Sequence, residues 1–170
     1  MMAILLLRMH IYFILFSNLI MLAGPRLFGT LLFLPPNTDD NLIRRGCQIP
    51  SMCTLCGLAQ ETSSHLFINC PFAIEIWNWL ASIINLPCNF TSVMEILKIA
   101  ERNWSAQFKL VVLAAIIFCF NIIWYCRNQK RFNDKIILPR SAINLIISGT
   151  SLLVFLAFKS PKIVPWILSL

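Results

Sequence analysis

Apolar and polar positions divide this chain into long apolar runs separated by short polar stretches, with no alternating pattern of any length. Strict alternation is the mark of a half-buried strand, so its absence points away from sheet. Residues 9–25, 110–126 and 141–158 carry no Lys, Arg, Asp or Glu. Between the first two runs, turn and capping residues punctuate the sequence. Pro35-Pro36 closes the first apolar segment, and Thr38-Asp39-Asp40 followed by Arg44-Arg45-Gly46 marks a short helix. Thr38 is placed to cap it, Asp39 and Asp40 complement the positive end of its dipole, and Gly46 stops it. Residues 47–70 have loop and turn character. Pro71 suits the first position of a helix to about Asn85, with Phe72, Ile76, Trp79, Leu80 and Ile83 along one face. Ser92 and Glu95 form a capping box for a helix to about Glu101. A long helix is expected over 105–132 and a last one from near Arg140. The predicted fold class is mainly α: a small helical domain organised around the compact loop at 47–70, with extra apolar helices at both ends. The expected division is an apolar segment at 1–36, a central domain at 37–104, and a helical connector with an apolar tail at 105–170.

Composition sharpens this picture. Hydrophobic residues make up 58% of the 170 and charged residues 12%. Average soluble domains have about 45–50% and about 25%, so a disordered chain is excluded and membrane insertion must be considered. The net charge of +7 suits a polyanionic partner, either nucleic acid or an anionic lipid surface. Each charge-free run is near the shortest length that spans a membrane. Residues 9–25 would reach roughly 26 Å as a helix, against a hydrocarbon core of about 30 Å. The region Leu22-Ala23-Gly24-Pro25 is a poor cleavage site for a secretory signal.

Seven cysteines cannot all pair, and four of them (Cys47, Cys88, Cys119, Cys126) are scattered. The other three fall with a histidine in one compact pattern, Cys53-x2-Cys56-x8-His65-x4-Cys70. Zinc takes four tetrahedral ligands from thiolate and imidazole, and structural sites use all four. Gly57 lets the backbone turn after the second thiolate, and the loop to Ser64 brings His65 and Cys70 back to close the shell. Leu66, Phe67 and Phe72 are expected to form a small core over one zinc ion. Two other readings are weaker: three buried cysteines with an unrelated histidine, and a redox pair at Cys53 and Cys56. The second needs a thioredoxin-like sheet, for which there is no strand pattern. Thiolate ligands imply a reducing compartment, the nucleus or cytoplasm.

The string Cys53-x-Leu55-Cys56, Glu61-Thr62, His65-Leu66-Phe67, Cys70-Pro71-Phe72-Ala73 and Trp77 resembles the zinc-binding domain of plant non-LTR (LINE-type) retrotransposon reverse transcriptases. That domain lies between the polymerase and a ribonuclease H domain. Thr38 to Leu42 and Arg44-Arg45-Gly46 are similar to the family's preceding helix. Ile123-Trp124, Arg127-Asn128 and Phe132 are similar to its connector. The likeness covers roughly residues 37–150 and is most specific over 53–77. It implies a module that engages RNA or DNA as template or target, here separated from its catalytic domains.

Catalytic material is sparse. The acids are Asp39, Asp40, Glu61, Glu75, Glu95, Glu101 and Asp134, spread singly except for the first two. They form neither a polymerase pair nor the carboxylate cluster that holds two magnesium ions in a ribonuclease H. No polymerase or nuclease turnover is expected. Candidate phosphate contacts are Arg44, Arg45, Arg127, Lys130 and Arg131, with Lys135 and Arg140 nearby. Most such clusters are simply solvated helix ends. Trp77 and Trp79 have the chemistry to stack on bases, although their place beside Phe72 and Leu80 favours core packing. The rival expectation is a small integral membrane protein with one to three helical spans and no catalytic activity.

Overall fold

The computed structural model describes residues 38–49, 51–87 and 90–159. The segment 1–36, with the run 9–25, lies outside the described residues. Five α-helices and one π-helical turn account for the regular structure, and no strand occurs among the described residues. The helices are α1 (Asp39–Arg44), α2 (Pro71–Ile83), α3 (Val93–Lys98), α4 (Ala106–Asn133) and α5 (Pro139–Lys159), with the π-turn at His65–Asn69 between α1 and α2.

Local chemistry sets most of these boundaries. Gly46 ends α1 at φ +90, a left-handed conformation that glycine adopts without strain. Thr38 occupies the position before α1 in extended conformation, but its hydroxyl bonds the side chains of Ser63 and Asn41. It ties α1 to the metal loop, where capping was expected. Pro71 opens α2 as predicted. At α3, Ser92 Oγ accepts from the Glu95 N–H at 3.3 Å, while the Glu95 carboxylate accepts from the Thr91 N–H and hydroxyl. These bonds hold the Glu95 carboxyl below its ordinary pKa. Ser105 Oγ caps α4 by accepting from the Phe108 N–H, and Asp134 closes it in the left-handed region at φ 50.

Two expectations are corrected. The buried face of α2 is Phe72, Ala73, Ile76, Trp77, Leu80 and Ala81, while Ile83 is exposed and Trp79 half-buried. Steps of four from Phe72 (Ile76, Leu80, Ile84) and from Ala73 (Trp77, Ala81) trace one helical stripe, and Trp79 and Ile83 sit at its edge. Part of the predicted loop is also helical, since His65 to Asn69 coil into the π-turn that ends at Cys70.

Helices α2 to α5 share one core running from Cys53 and Cys70 through Ile76, Trp77, Ile116 and Ile123 to Ile146. The short connection from Asn133 to Pro139 sends α5 back along α4 as an antiparallel neighbour. They approach tightly at Gly149, where a Cβ would sit 2.4 Å from a ring carbon of Phe118. Among the described residues, only α4 is long and apolar enough to cross a membrane, and half of its most apolar window is buried within the protein. A core helix meets that test equally well.

Candidate metal centre

The segment 51–70 is folded by its own backbone bonds. The Cys53 N–H bonds the Ala59 carbonyl at 2.7 Å, and the Gly57 N–H bonds the Cys53 carbonyl at 2.8 Å, closing a tight turn. Gly57 makes the expected turn at φ +68, in the left-handed region. The Thr62 hydroxyl accepts from the His65 N–H, and the Cys70 N–H bonds the His65 carbonyl at 2.6 Å. The π-turn thus brings the third and fourth donors back over the first two.

The donor atoms of Cys53, Cys56, His65 and Cys70 lie within 4.8 Å of one another. Cys53 Sγ and Cys70 Sγ are 3.8 Å apart, and Cys56 Sγ is 3.3 Å from His65 Nε2. With zinc–sulfur bonds of about 2.3 Å and tetrahedral angles, two sulfur ligands are separated by about 3.8 Å, and a sulfur–nitrogen edge is slightly shorter. These two edges therefore match those of a tetrahedral shell in which His65 contributes Nε2. A disulfide is excluded, because its sulfurs are bonded at about 2.05 Å.

Protonation fits the same arrangement. Cys53 and Cys70 are fully buried, with their sulfurs in hydrogen-bond contact. The hydrogen bond from Cys70, aided by the backbone N–H groups of Cys56 and Leu55, lowers Cys53 to about 4. The same contact, with burial, pushes Cys70 upward. Cys119 and Cys126 differ: burial alone raises both, Cys126 to about 12, leaving inert core thiols.

Around the centre, Leu66 is fully buried and Phe67 half-buried. Trp77 is 1% exposed and donates from Nε1 to the Phe67 carbonyl at 2.7 Å. Its ring meets Phe120 edge-on at 5.1 Å, and Phe67 stacks on Trp124 at 6.3 Å. Trp77 is thus a core anchor joining the metal loop to α4, which removes it as a base-stacking candidate.

The basic candidates divide in two. Arg44 and Arg45 are exposed at the end of α1. Arg127 is 2% exposed and bonds Glu61 through Nε and Nη2, the shortest contact being 2.6 Å. Arg131 bonds Asp39, which is 1% exposed, and approaches Glu61 Oε1 at 3.5 Å. Lys130 Nζ donates to the Leu55 carbonyl inside the knuckle turn. Arg127, Lys130 and Arg131 each have a partner within the fold, Arg127 in the core and the other two half-buried. Asp39 also has a larger role than its helix dipole.

Sequence reasoning missed Asp39 and Glu61 as partners of these arginines. The available signal was Arg127 on the buried side of α4, in line with Ile116, Phe120 and Ile123, because a buried cation requires an acidic partner. Which acid answers it is not local information, since Glu61 is 66 positions away.

No curated protein and no solved structure matches the chain. Residues 34–77, a stretch holding all four donors, match the family model described as zinc-binding in reverse transcriptase.

Proposed function

We propose that this chain is a zinc-binding structural module that contacts nucleic acid and performs no catalysis of its own. The observation that carries the reading is the convergence of Cys53, Cys56, His65 and Cys70 at tetrahedral spacing inside the matched segment. Four protein donors leave no open coordination position, so the site has the form of a structural centre rather than a hydrolytic one. A bound zinc ion would supply cross-linking energy to a segment too short to build its own core. The cysteines would bind as thiolates and His65 as a neutral imidazole, fixing the loop beside α1 and placing Arg44 and Arg45 at the surface near it.

Nucleic-acid contact is supported by the +7 charge and by the exposed cations Arg44, Arg45, Lys135 and Arg140. Thiolate ligation favours the nucleus or cytoplasm. The membrane reading draws on the length and apolarity of α4, against which stands the burial of half its apolar window inside the protein.

The test is retention of a labelled oligonucleotide by the purified chain. Binding should weaken steeply with salt and be lost on zinc chelation. Arg44→Ala with Arg45→Ala should shallow the salt slope by about one unit per lost phosphate contact. Salt-insensitive retention, or retention unaffected by the double substitution and by chelation, would refute the nucleic-acid part. Carbonate-resistant pelleting with microsomes would favour the membrane alternative.

A further inference from the structure

The charged residues buried beneath the metal loop form a closed cluster. Asp39, Glu61 and Arg127 are at most 2% exposed, and Arg131 is 25% exposed. Two acids meet two bases, so the cluster is electrically neutral. Glu61 lies within the return loop that joins the donor pair Cys53/Cys56 to the pair His65/Cys70. Its backbone is held on both sides: its N–H donates to Ser51 Oγ at 3.2 Å, and its carbonyl accepts from the Asp40 N–H at 3.3 Å. Its carboxylate is then gripped by Arg127, whose guanidinium also bonds Asn128 Oδ1 and lies 4.8 Å from the Trp124 ring centre. Arg127 and Arg131 are one helical turn apart on α4, and they reach two acids from separate segments of the chain.

From this juxtaposition we infer that the Glu61–Arg127 and Asp39–Arg131 pairs are a latch coupling metal retention in the loop to the seating of α4. The inference rests on the zinc reading above. The path of the return loop decides whether the two donor pairs meet, and the latch fixes that path from α4. Coupling of this kind is reciprocal: whatever the seated helix adds to metal affinity, the metal adds to the seating of the helix. An opened loop would take from the buried Arg127 its nearer carboxylate, Glu61, leaving only Asp39 at 3.5 Å, a loss that would loosen the C-terminal half of α4. Glu61 and Arg131 are in this sense positioning residues for the metal site, acting through the loop without touching the donors.

Hydrogen exchange read by mass spectrometry on the full zinc-loaded chain tests the coupling, together with zinc affinity from competition with a chromophoric chelator. In the wild-type chain, chelation should accelerate exchange over 53–70 and over 122–131 together. Arg131→Gln, a half-exposed position chosen so that the fold survives, should weaken zinc binding about tenfold, within the usual range of coupled sites. Arg131→Lys, which keeps the charge, should recover much of that loss. Glu61→Gln should weaken binding further. If that variant does not fold, the wild-type exchange pattern and the Arg131 pair decide the matter. Exchange over 122–131 that ignores chelation while 53–70 opens would overturn the latch and leave the zinc reading standing. Unchanged zinc affinity in Arg131→Gln would do the same. A wild-type chain that takes up no zinc at all would sink both.

Discussion

The metal loop and the paired helices α4 and α5 are stabilised by opposite means. The loop gathers four donors from eighteen consecutive positions, 53 to 70. The helices bury a long apolar stripe and are tied to the rest by ion pairs between residues 66 and 92 positions apart. One region is specified by spacing, the other by partners that only folding brings together. They meet at Trp77, Phe67, Phe120 and the Glu61–Arg127 pair. The comparison teaches that removing a local constraint should open one segment, whereas removing a distant one should disturb both.

The largest effect is expected from the loop's own chemistry. Cys70→Ser, or chelation, should remove a contribution on the order of 10 kcal/mol seen for structural zinc at neutral pH. Loss of protection over 53–70 in hydrogen exchange is the readout. Next comes the buried ion pair. Arg127→Met leaves Glu61 without its main partner, and breaking such a pair costs about 3–5 kcal/mol. Denaturant unfolding should show a lowered midpoint. Replacing Glu61 and Arg127 together by Gln and Met should recover part of the loss, because no lone buried charge remains. Full loss in the double variant would mean that packing, not charge, holds that junction.

A smaller effect concerns the helix pair alone. Gly149→Ala gains about 1 kcal/mol of helix propensity but drives a methyl group into the Phe118 ring, and overpacking costs about 1–3 kcal/mol. A net destabilisation of about 1 kcal/mol, relieved by Phe118→Leu, is expected from thermal unfolding. Zinc affinity should barely change, since Gly149 lies away from the loop.

The last effect, absent at neutral pH, is a pH dependence. Burial raises the folded-state pKa of Cys126 to about 12 from an ordinary value of 9.0, and Cys119 moves the same way. A group raised in the folded state stabilises fully below its unfolded pKa and loses that contribution as pH climbs towards the folded value. Stability should therefore decline from about pH 9 upward. Replacing both cysteines by Ala should flatten this alkaline limb in denaturant titrations without abolishing zinc binding.

Legibility in the sequence followed the same division. The four donors, Gly57 and the helix starts at Pro71, Ser92 and Ser105 could be read because each depends on neighbours within a few positions. On α2 the sequence placed Phe72, Ile76 and Leu80 on the buried face but set Trp79 and Ile83 beside them in place of Ala73, Trp77 and Ala81, whereas Phe120 and Phe90 pack edge-on against Trp77. The π-turn had no signal, since its shape answers to the positions of His65 and Cys70 in space. Arg127 and Arg131 resembled a surface cluster because their acids are distant in the chain. In a helix this apolar, the basic residues in line with the core were the ones committed to internal partners.

The most direct test of the account is native mass spectrometry of freshly purified chain, run beside the Cys70→Ser variant. The account predicts one zinc ion per wild-type chain and its loss in the variant, together with a collapse of exchange protection over 53–70. Wild-type chain free of zinc, with protection over 53–70 unchanged in Cys70→Ser, would contradict it.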